Sequence, residues 1–293
     1  MIAFIFALCL GINQYWINST ELALQLLQPE CWYNWTNKPE ENFQHEGFSP
    51  MLWKVNNRNL LEAGELAIKY PGRKWFVYNE PEGADQANTT PEIAAEWFDK
   101  AYKLIKNNDP TALVGCCGVM LRTSGITWMD GFKPVNKPDF YHIHIYATNK
   151  KDWQQFVDYW HYYNSENVPT YITETCGVIS NNQADLLNYV AKYQHPNIKQ
   201  IYWFSAYPQD GWNCGLIEDN KLNNLGNIYK QNIPLKLTPT VEPPTPTITP
   251  TPTIVIQPII LTPTSTPIPD ETTGEIGGIE PIHFNWYFPI ILN

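Results

Sequence analysis

Two glutamates each close an apolar run: Glu80 in Trp75-Phe76-Val77-Tyr78-Asn79-Glu80-Pro81, and Glu174 in Pro169-Thr170-Tyr171-Ile172-Thr173-Glu174. If both runs are strands, both carboxylates stand at strand C-termini, where parallel α/β folds collect their reactive groups. Two carboxyl groups flanking one bond can divide acid–base work, one protonating a leaving oxygen while the other attacks or activates water; glycoside hydrolysis needs such a pair. The apolar residues ahead of Glu80 should raise its pKa and suit it to be the acid. A Tyr hydroxyl such as Tyr146 could hold Glu174 ionised and oriented. Asn79, beside the acid, is suited to grip a sugar 2-hydroxyl. His142 and His144 form an HxH pair, but no Cys or Asp constellation accompanies it. We therefore read both as hydrogen-bonding residues lining a strand, and expect neither metal nor cofactor. His144, nearer the strand end, is placed to touch Glu174 or substrate.

The elements that must carry these groups follow from the apolar pattern. Strand-like runs occupy 5–13, 30–35, 48–53, 74–79, 111–118, 139–146, 169–174 and 199–205, with helical periodicity at 19–27, 57–69, 91–107, 152–166, 182–194 and 222–231. The third helix opens on Thr90-Pro91, an N-cap followed by Pro at the first helical position. Strands alternating with helices over about 230 residues predict an α/β fold, the (β/α)8 TIM barrel. A doubly wound sheet is the alternative, but no glycine-rich fingerprint follows any strand. In the barrel, the fourth and seventh strands face each other across the mouth, which puts Glu80 opposite Glu174. Trp53, Tyr146 and Trp203 stand at strand ends, where their rings could stack on pyranose faces, whereas Trp75, Trp97 and Trp160 read as packing.

Composition narrows the partners. The chain has a net charge of −10, and only Arg58, Arg73 and Arg122 are arginines. Such a surface repels phosphate backbones, so no nucleic acid is expected. Twelve Trp and seventeen Tyr exceed what a core this size needs and suggest a planar or ring-shaped ligand. No run reaches the ~18 to 20 apolar residues of an integral membrane span. Residues 5–13 read as a buried first strand, with a remnant of a signal ahead of it. Among six cysteines, Cys176 and Cys214 fall in polar, loop-like sequence and are expected to form a disulfide, the others to be buried thiols. After a catalytic domain over 1–233, Thr and Pro alternate through 234–270. This is a disordered linker that cannot pack, and it is followed by a short hydrophobic tail over 271–293. We expect a monomer, secreted or associated with the cell surface, with the tail as a possible tether.

At the strand ends the chain resembles a known group. Asn79-Glu80-Pro81 and Thr173-Glu174 look like clan A glycoside hydrolases, retaining enzymes on (β/α)8 barrels. More narrowly, Tyr33-Asn34-Trp35, Pro50-Met51-Leu52-Trp53, His144-Ile145-Tyr146 and Trp203-Phe204 resemble glycoside hydrolase family 128, which acts on β-1,3-glucans. The resemblance covers nearly all of residues 10–233. No Arg occurs in residues 30–42, where many clan A enzymes carry one, which argues against the cellulase branches. The resemblance implies Glu80 as acid/base, Glu174 as nucleophile, and a polysaccharide or oligosaccharide substrate bound by Asn79, Trp35, Trp53, His144, Tyr146 and Trp203. It implies two-glutamate double displacement on β-glucan, with carboxyl groups about 5 to 5.5 Å apart. The rivals are a non-catalytic glycan-binding barrel displayed at the cell surface, or another clan A activity such as xylosidase or mannanase.

Overall fold

The computed structural model describes residues 7–13, 17–38, 47–178, 182–209 and 211–233. The chain divides into units 1–235 and 236–293. The expected linker, the tail and the residues ahead of the first strand lie outside the described residues. The elements are β1 (Ala7–Gly11), α1 (Ile17–Leu27), β2 (Trp32–Tyr33), β3 (Met51–Leu52), α2 (Asn57–Lys69), β4 (Lys74–Val77) and α3 (Pro91–Asn108). They continue with β5 (Leu113–Met120), α4 (Thr123–Gly131), β6 (Phe140–Ala147), α5 (Lys150–Tyr163), β7 (Thr170–Gly177), α6 (Gln183–Val190) and β8 (Ile198–Phe204). A hairpin of β9 (Ile217–Glu218) and β10 (Lys221–Leu222) precedes α7 (Asn224–Asn232).

All eight apolar runs become strands of one parallel sheet, ordered β2-β1-β8-β7-β6-β5-β4-β3. The gap between β2 and β3 is bridged by backbone bonds, Trp32 N to Gly47 O at 3.0 Å, Ser49 N to Trp32 O at 2.9 Å and Met51 N to Thr36 O at 2.8 Å. The result is the expected (β/α)8 barrel with one departure: between β2 and β3 no helix is described, residues 39–46 lying outside the described residues. Alternate residues point inward and fill the barrel, so Cys9, Tyr33, Met51, Phe76, Phe140, Tyr171 and Tyr202 form one buried cluster with Cys31. The Phe76 ring meets Tyr33, Phe140 and Tyr202 edge-on, at 5.6 to 5.8 Å between centroids. Gly115 makes room for this plug, since a Cβ there would lie 2.1 Å from the Phe140 ring.

Two local features escaped the apolar pattern. Helix α4, from Thr123-Ser-Gly-Ile-Thr-Trp-Met-Asp-Gly131, has weak periodicity and two glycines, yet it packs closely. A Cβ at Gly125 would lie 2.1 Å from the Met120 carbonyl oxygen, so the glycine lets the helix settle on the end of β5. The cysteines need a larger correction. Cys176–Cys214 is a disulfide as expected, but Cys9–Cys31 and Cys116–Cys117 are also bonded, leaving no free thiol. An apolar setting signals burial but says nothing of pairing. Cys9 and Cys31 meet only because β1 lies beside β2, an adjacency that no local spacing encodes.

Candidate active site

Strand alternation alone does not place both carboxylates at the mouth. On β4, Phe76 points into the barrel, and Tyr78 would follow it two residues on. Instead Tyr78 adopts a left-handed φ of 71° and sends its hydroxyl outward to the Ala94 carbonyl of α3. Asn79 and Glu80 turn inward in its place, and Glu80 has a positive φ of 44°. Such backbone in non-glycine residues is costly, of order 1–3 kcal/mol each, and concentrates at functional sites. The Glu80 N–H is anchored on Gly118 O at 3.0 Å, where β5 bulges. On β7, Tyr171 faces inward and Thr173 bonds the His142 ring at 3.2 Å. A register shift then places Glu174 opposite His144. That bulge turns a side chain that should point outward into the site.

The groups converge around Glu174. Trp35 Nε1 donates to Glu174 Oε1 at 2.8 Å, the Tyr33 hydroxyl donates to the same oxygen at 3.2 Å, and the Tyr146 hydroxyl donates to Oε2. Gly11 permits this, because Trp35 Cη2 would lie 2.8 Å from a Cβ there. His144 stands between the carboxylates, with Nδ1 2.8 Å from Glu80 Oε1 and Nε2 3.4 Å from Glu174 Oε1. The second contact is too poorly aligned to be a hydrogen bond. One carboxylate oxygen from each glutamate and one His144 nitrogen all lie within 4.8 Å of one another. They are the one group among the described residues that approaches metal-ligand spacing. The glutamates, however, face opposite nitrogens of a single imidazole, an arrangement that joins two acids rather than cradling one cation.

Burial sets the electrostatics. Glu80 and Glu174 are 2% and 1% exposed. Burial, aided by Asp85 and opposed by Arg122, pushes the Glu80 carboxyl up to about 8. Glu174 is also raised by burial and by Glu80, but His144 and the Tyr146 and Trp35 hydrogen bonds pull it back towards its charged form. Burial lowers both histidines, His142 to about 3, while the Glu174 charge opposes the lowering of His144. The environments therefore divide the pair into a protonated Glu80 and a donor-rich Glu174.

With its folded pKa raised to about 8 against 4.5 for a free carboxyl, Glu80 binds a proton in the native state that the unfolded chain has lost. Its contribution is full below about pH 4.5 and is lost as pH rises through 8, at up to ~1.4 kcal/mol per pH unit. The melting temperature should fall over that window, and less steeply in Glu80→Gln. Parallel curves for the two proteins would show that Glu80 is ionised throughout.

The remaining candidates separate. Trp53 follows β3, packs on the interior cluster and accepts the Asn79 N–H on its carbonyl at 3.1 Å. Asn79 is buried, with Nδ2 donating to Gln86 Oε1 at 3.1 Å and Oδ1 without a partner. Trp203 requires correction. Tyr202 joins the interior cluster, so its neighbour faces outward, wholly buried with Nε1 on the Cys214 carbonyl at 2.9 Å. Phe204, one residue on, meets Trp35, Tyr146 and Trp212 at the mouth. Trp203→Ala should therefore cost about 3–5 kcal/mol of stability, whereas Phe204→Ala should lower turnover more than melting temperature. The reverse ranking would restore Trp203 as the platform. Tyr33 and Gln86 were also missed. Tyr33 carries an evident signal, lying in the same apolar run as Trp35.

Two buried carboxylates, one protonated and one surrounded by donors, at the strand ends of a (β/α)8 barrel define the site of a glycoside hydrolase. Residues 19–229 match the glycosyl hydrolase catalytic core family, and the chain belongs to it. No curated protein matches the sequence. Solved structures share the fold. A family 128 (subgroup II) endo-β-1,3-glucanase from Sorangium cellulosum is 23% identical, with a TM-score of 0.61 over 77% of this chain and 97% of its own. A subgroup III curdlan-specific exo-β-1,3-glucanase from Blastomyces gilchristii, in complex with glucose, is 22% identical with a TM-score of 0.63, over 75% and 96%. A subgroup I endo-β-1,3-glucanase from Amycolatopsis mediterranei, in complex with laminaritriose, is 20% identical with a TM-score of 0.61, over 78% and 100%.

Proposed function

We propose that the chain hydrolyses β-1,3-glucan with retention of configuration, Glu80 serving as acid/base and Glu174 as nucleophile. The observation that carries this reading is the convergence of two buried carboxylates on one imidazole, their nearest oxygens within 4.8 Å of each other. Such a close approach favours the carboxyl spacing of about 5–5.5 Å of a retaining pair over the roughly 6.5–9.5 Å by which an inverting pair admits water. In the first step Glu174 attacks the anomeric carbon as Glu80 gives its proton to the departing glycosidic oxygen. The C–O bond breaks and a glycosyl ester forms on Glu174. Glu80, having given up its proton, is left as a carboxylate beside that ester. It then takes a proton from water, whose oxygen displaces Glu174. Asn79 Oδ1 accepts the 2-hydroxyl of the reacting sugar, and Trp35, Phe204 and Trp53 offer apolar faces around it.

The substrate class rests on the family 128 relatives, whose enzymes act on β-1,3-glucans and one of which holds laminaritriose. Secretion is supported by three disulfides, which persist in oxidising compartments. Among the described residues no helix is long and apolar enough to cross a membrane. Incubation with curdlan, laminarin, xylan and mannan tests the assignment: reducing ends should appear from the first two. Release from xylan or mannan alone would move the activity elsewhere in the clan, and glucan binding without release would make the chain a binding barrel.

A further inference from the structure

The loop after β4 carries three buried side-chain atoms without a protein hydrogen-bond partner: Asn79 Oδ1, Glu82 Oε2 and Gln86 Nε2. Buried polar atoms are nearly always paired, so an orphan beside a catalytic acid needs an occupant. Asn79 Oδ1 has one in the proposed reaction, the sugar 2-hydroxyl. An amide has a donor end and an acceptor end of nearly the same shape, and the partner at one end decides which end faces out. For Asn79 that partner is Gln86, which is 6% exposed and accepts from Nδ2 at 3.1 Å.

The loop is built to bring Gln86 there. Gly83 N donates to Glu80 O at 2.9 Å, Gln86 N to Gly83 O at 3.1 Å and Ala87 N to Asn79 O at 3.2 Å, folding the chain back on itself. A Cβ at position 83 would lie 3.0 Å from Gln86 Cγ, so the glycine leaves the Gln86 side chain its path. At the other end, the Asn79 N–H is tied to the Trp53 carbonyl. The Asn79 backbone is thus pinned from both sides, and the amide orientation is left to Gln86.

We propose that Gln86 is a positioning residue, whose carbonyl oxygen holds the Asn79 amide with Nδ2 turned away and Oδ1 presented to the 2-hydroxyl of the reacting sugar. This rests on the reading of the site as a β-glucan hydrolase. The contact strengthens as positive charge develops at the anomeric carbon, so losing it lowers kcat more than it raises KM. The mirror arrangement, with both amides turned over, would have Gln86 Nε2 donating to Asn79 Oδ1 and would present a donor instead.

The test compares kcat/KM on an aryl β-laminarioligosaccharide with its counterpart lacking the 2-hydroxyl on the aryl-bearing sugar. The ratio of the two cancels the intrinsic reactivity of 2-deoxy sugars and any general loss of acid strength. In Asn79→Ala the ratio should fall by about 100-fold relative to wild type. Gln86→Leu should reproduce at least about tenfold of that fall, carried by kcat. Gln86→Glu, whose carboxylate can only accept from Nδ2, should keep the ratio within about twofold. A Gln86→Leu ratio equal to wild type overturns the proposal, and so does a Gln86→Glu ratio as low as that of Gln86→Leu, which is the mirror arrangement's result. If Gln86→Leu does not fold, Gln86→Met and the comparison of Gln86→Glu with Asn79→Ala decide it. A wild-type protein that cleaves neither substrate refutes the hydrolase reading and this inference with it; normal cleavage with an unchanged ratio refutes the Gln86 role alone.

Discussion

Glu174→Gln is expected to cut glucan hydrolysis by on the order of 10⁴-fold or more, while the barrel stays folded and still binds glucan. The substitution removes the attacking carboxylate and keeps its shape. The amide oxygen can still accept from Trp35 Nε1 and Tyr33, and the new NH₂ faces the Tyr146 oxygen, which can accept. The Tyr146 O–H loses its acceptor on Glu174, which costs about 1–3 kcal/mol, so the melting temperature should fall modestly without loss of the fold. Reducing-end release, thermal melting and titration with laminarin check the three parts separately. Turnover within tenfold of wild type would remove Glu174 from the mechanism, and a collapse in melting temperature would make it a structural carboxylate.

Glu80→Ala should lose about 10²- to 10⁴-fold on glucan, the usual contribution of a positioned acid, and far less on a substrate whose leaving group departs without a proton. A dinitrophenyl glycoside is such a substrate, since its phenolate leaves unaided. With it, the first step proceeds and the second, which needs Glu80 as base, becomes limiting. Added azide should then speed turnover by entering as a nucleophile that needs no deprotonation. Wild-type activity on glucan should also decline as pH rises through about 8, where the buried Glu80 carboxyl loses its proton. An equal loss on both substrates would show that Glu80 acts through structure rather than through proton transfer.

Much of this architecture was legible in the order of residues, because a barrel strand buried on both faces must be an apolar run. Even β2 and β3, two residues each, were found that way. Glu80 and Glu174 were visible as acids closing such runs, although the inward aim of Glu174 depends on a bulge in β7 that no pattern signalled. Trp203 was misplaced by one residue. Within Tyr202-Trp203-Phe204 every side chain is a large ring, so composition does not show which of them faces in. That is settled by Tyr202 joining the barrel plug. Helix α4 was hidden because it is short and its buried Ile126, Trp128 and Met129 are interrupted by polar residues and flanked by two glycines. Gln86 was invisible for another reason: its partner is seven residues away across a turn, and only the folded loop brings the two amides together.

The most direct measurement is the anomeric configuration of the sugar first released. Proton NMR of laminarin or a laminarioligosaccharide, recorded within minutes of adding the full chain, distinguishes α from β before mutarotation mixes them. Two displacements at one carbon, by Glu174 and then by water, must return the β-anomer. The account predicts an initial β signal that decays towards the equilibrium mixture. An initial α signal would mean a single displacement by water, incompatible with Glu174 as nucleophile.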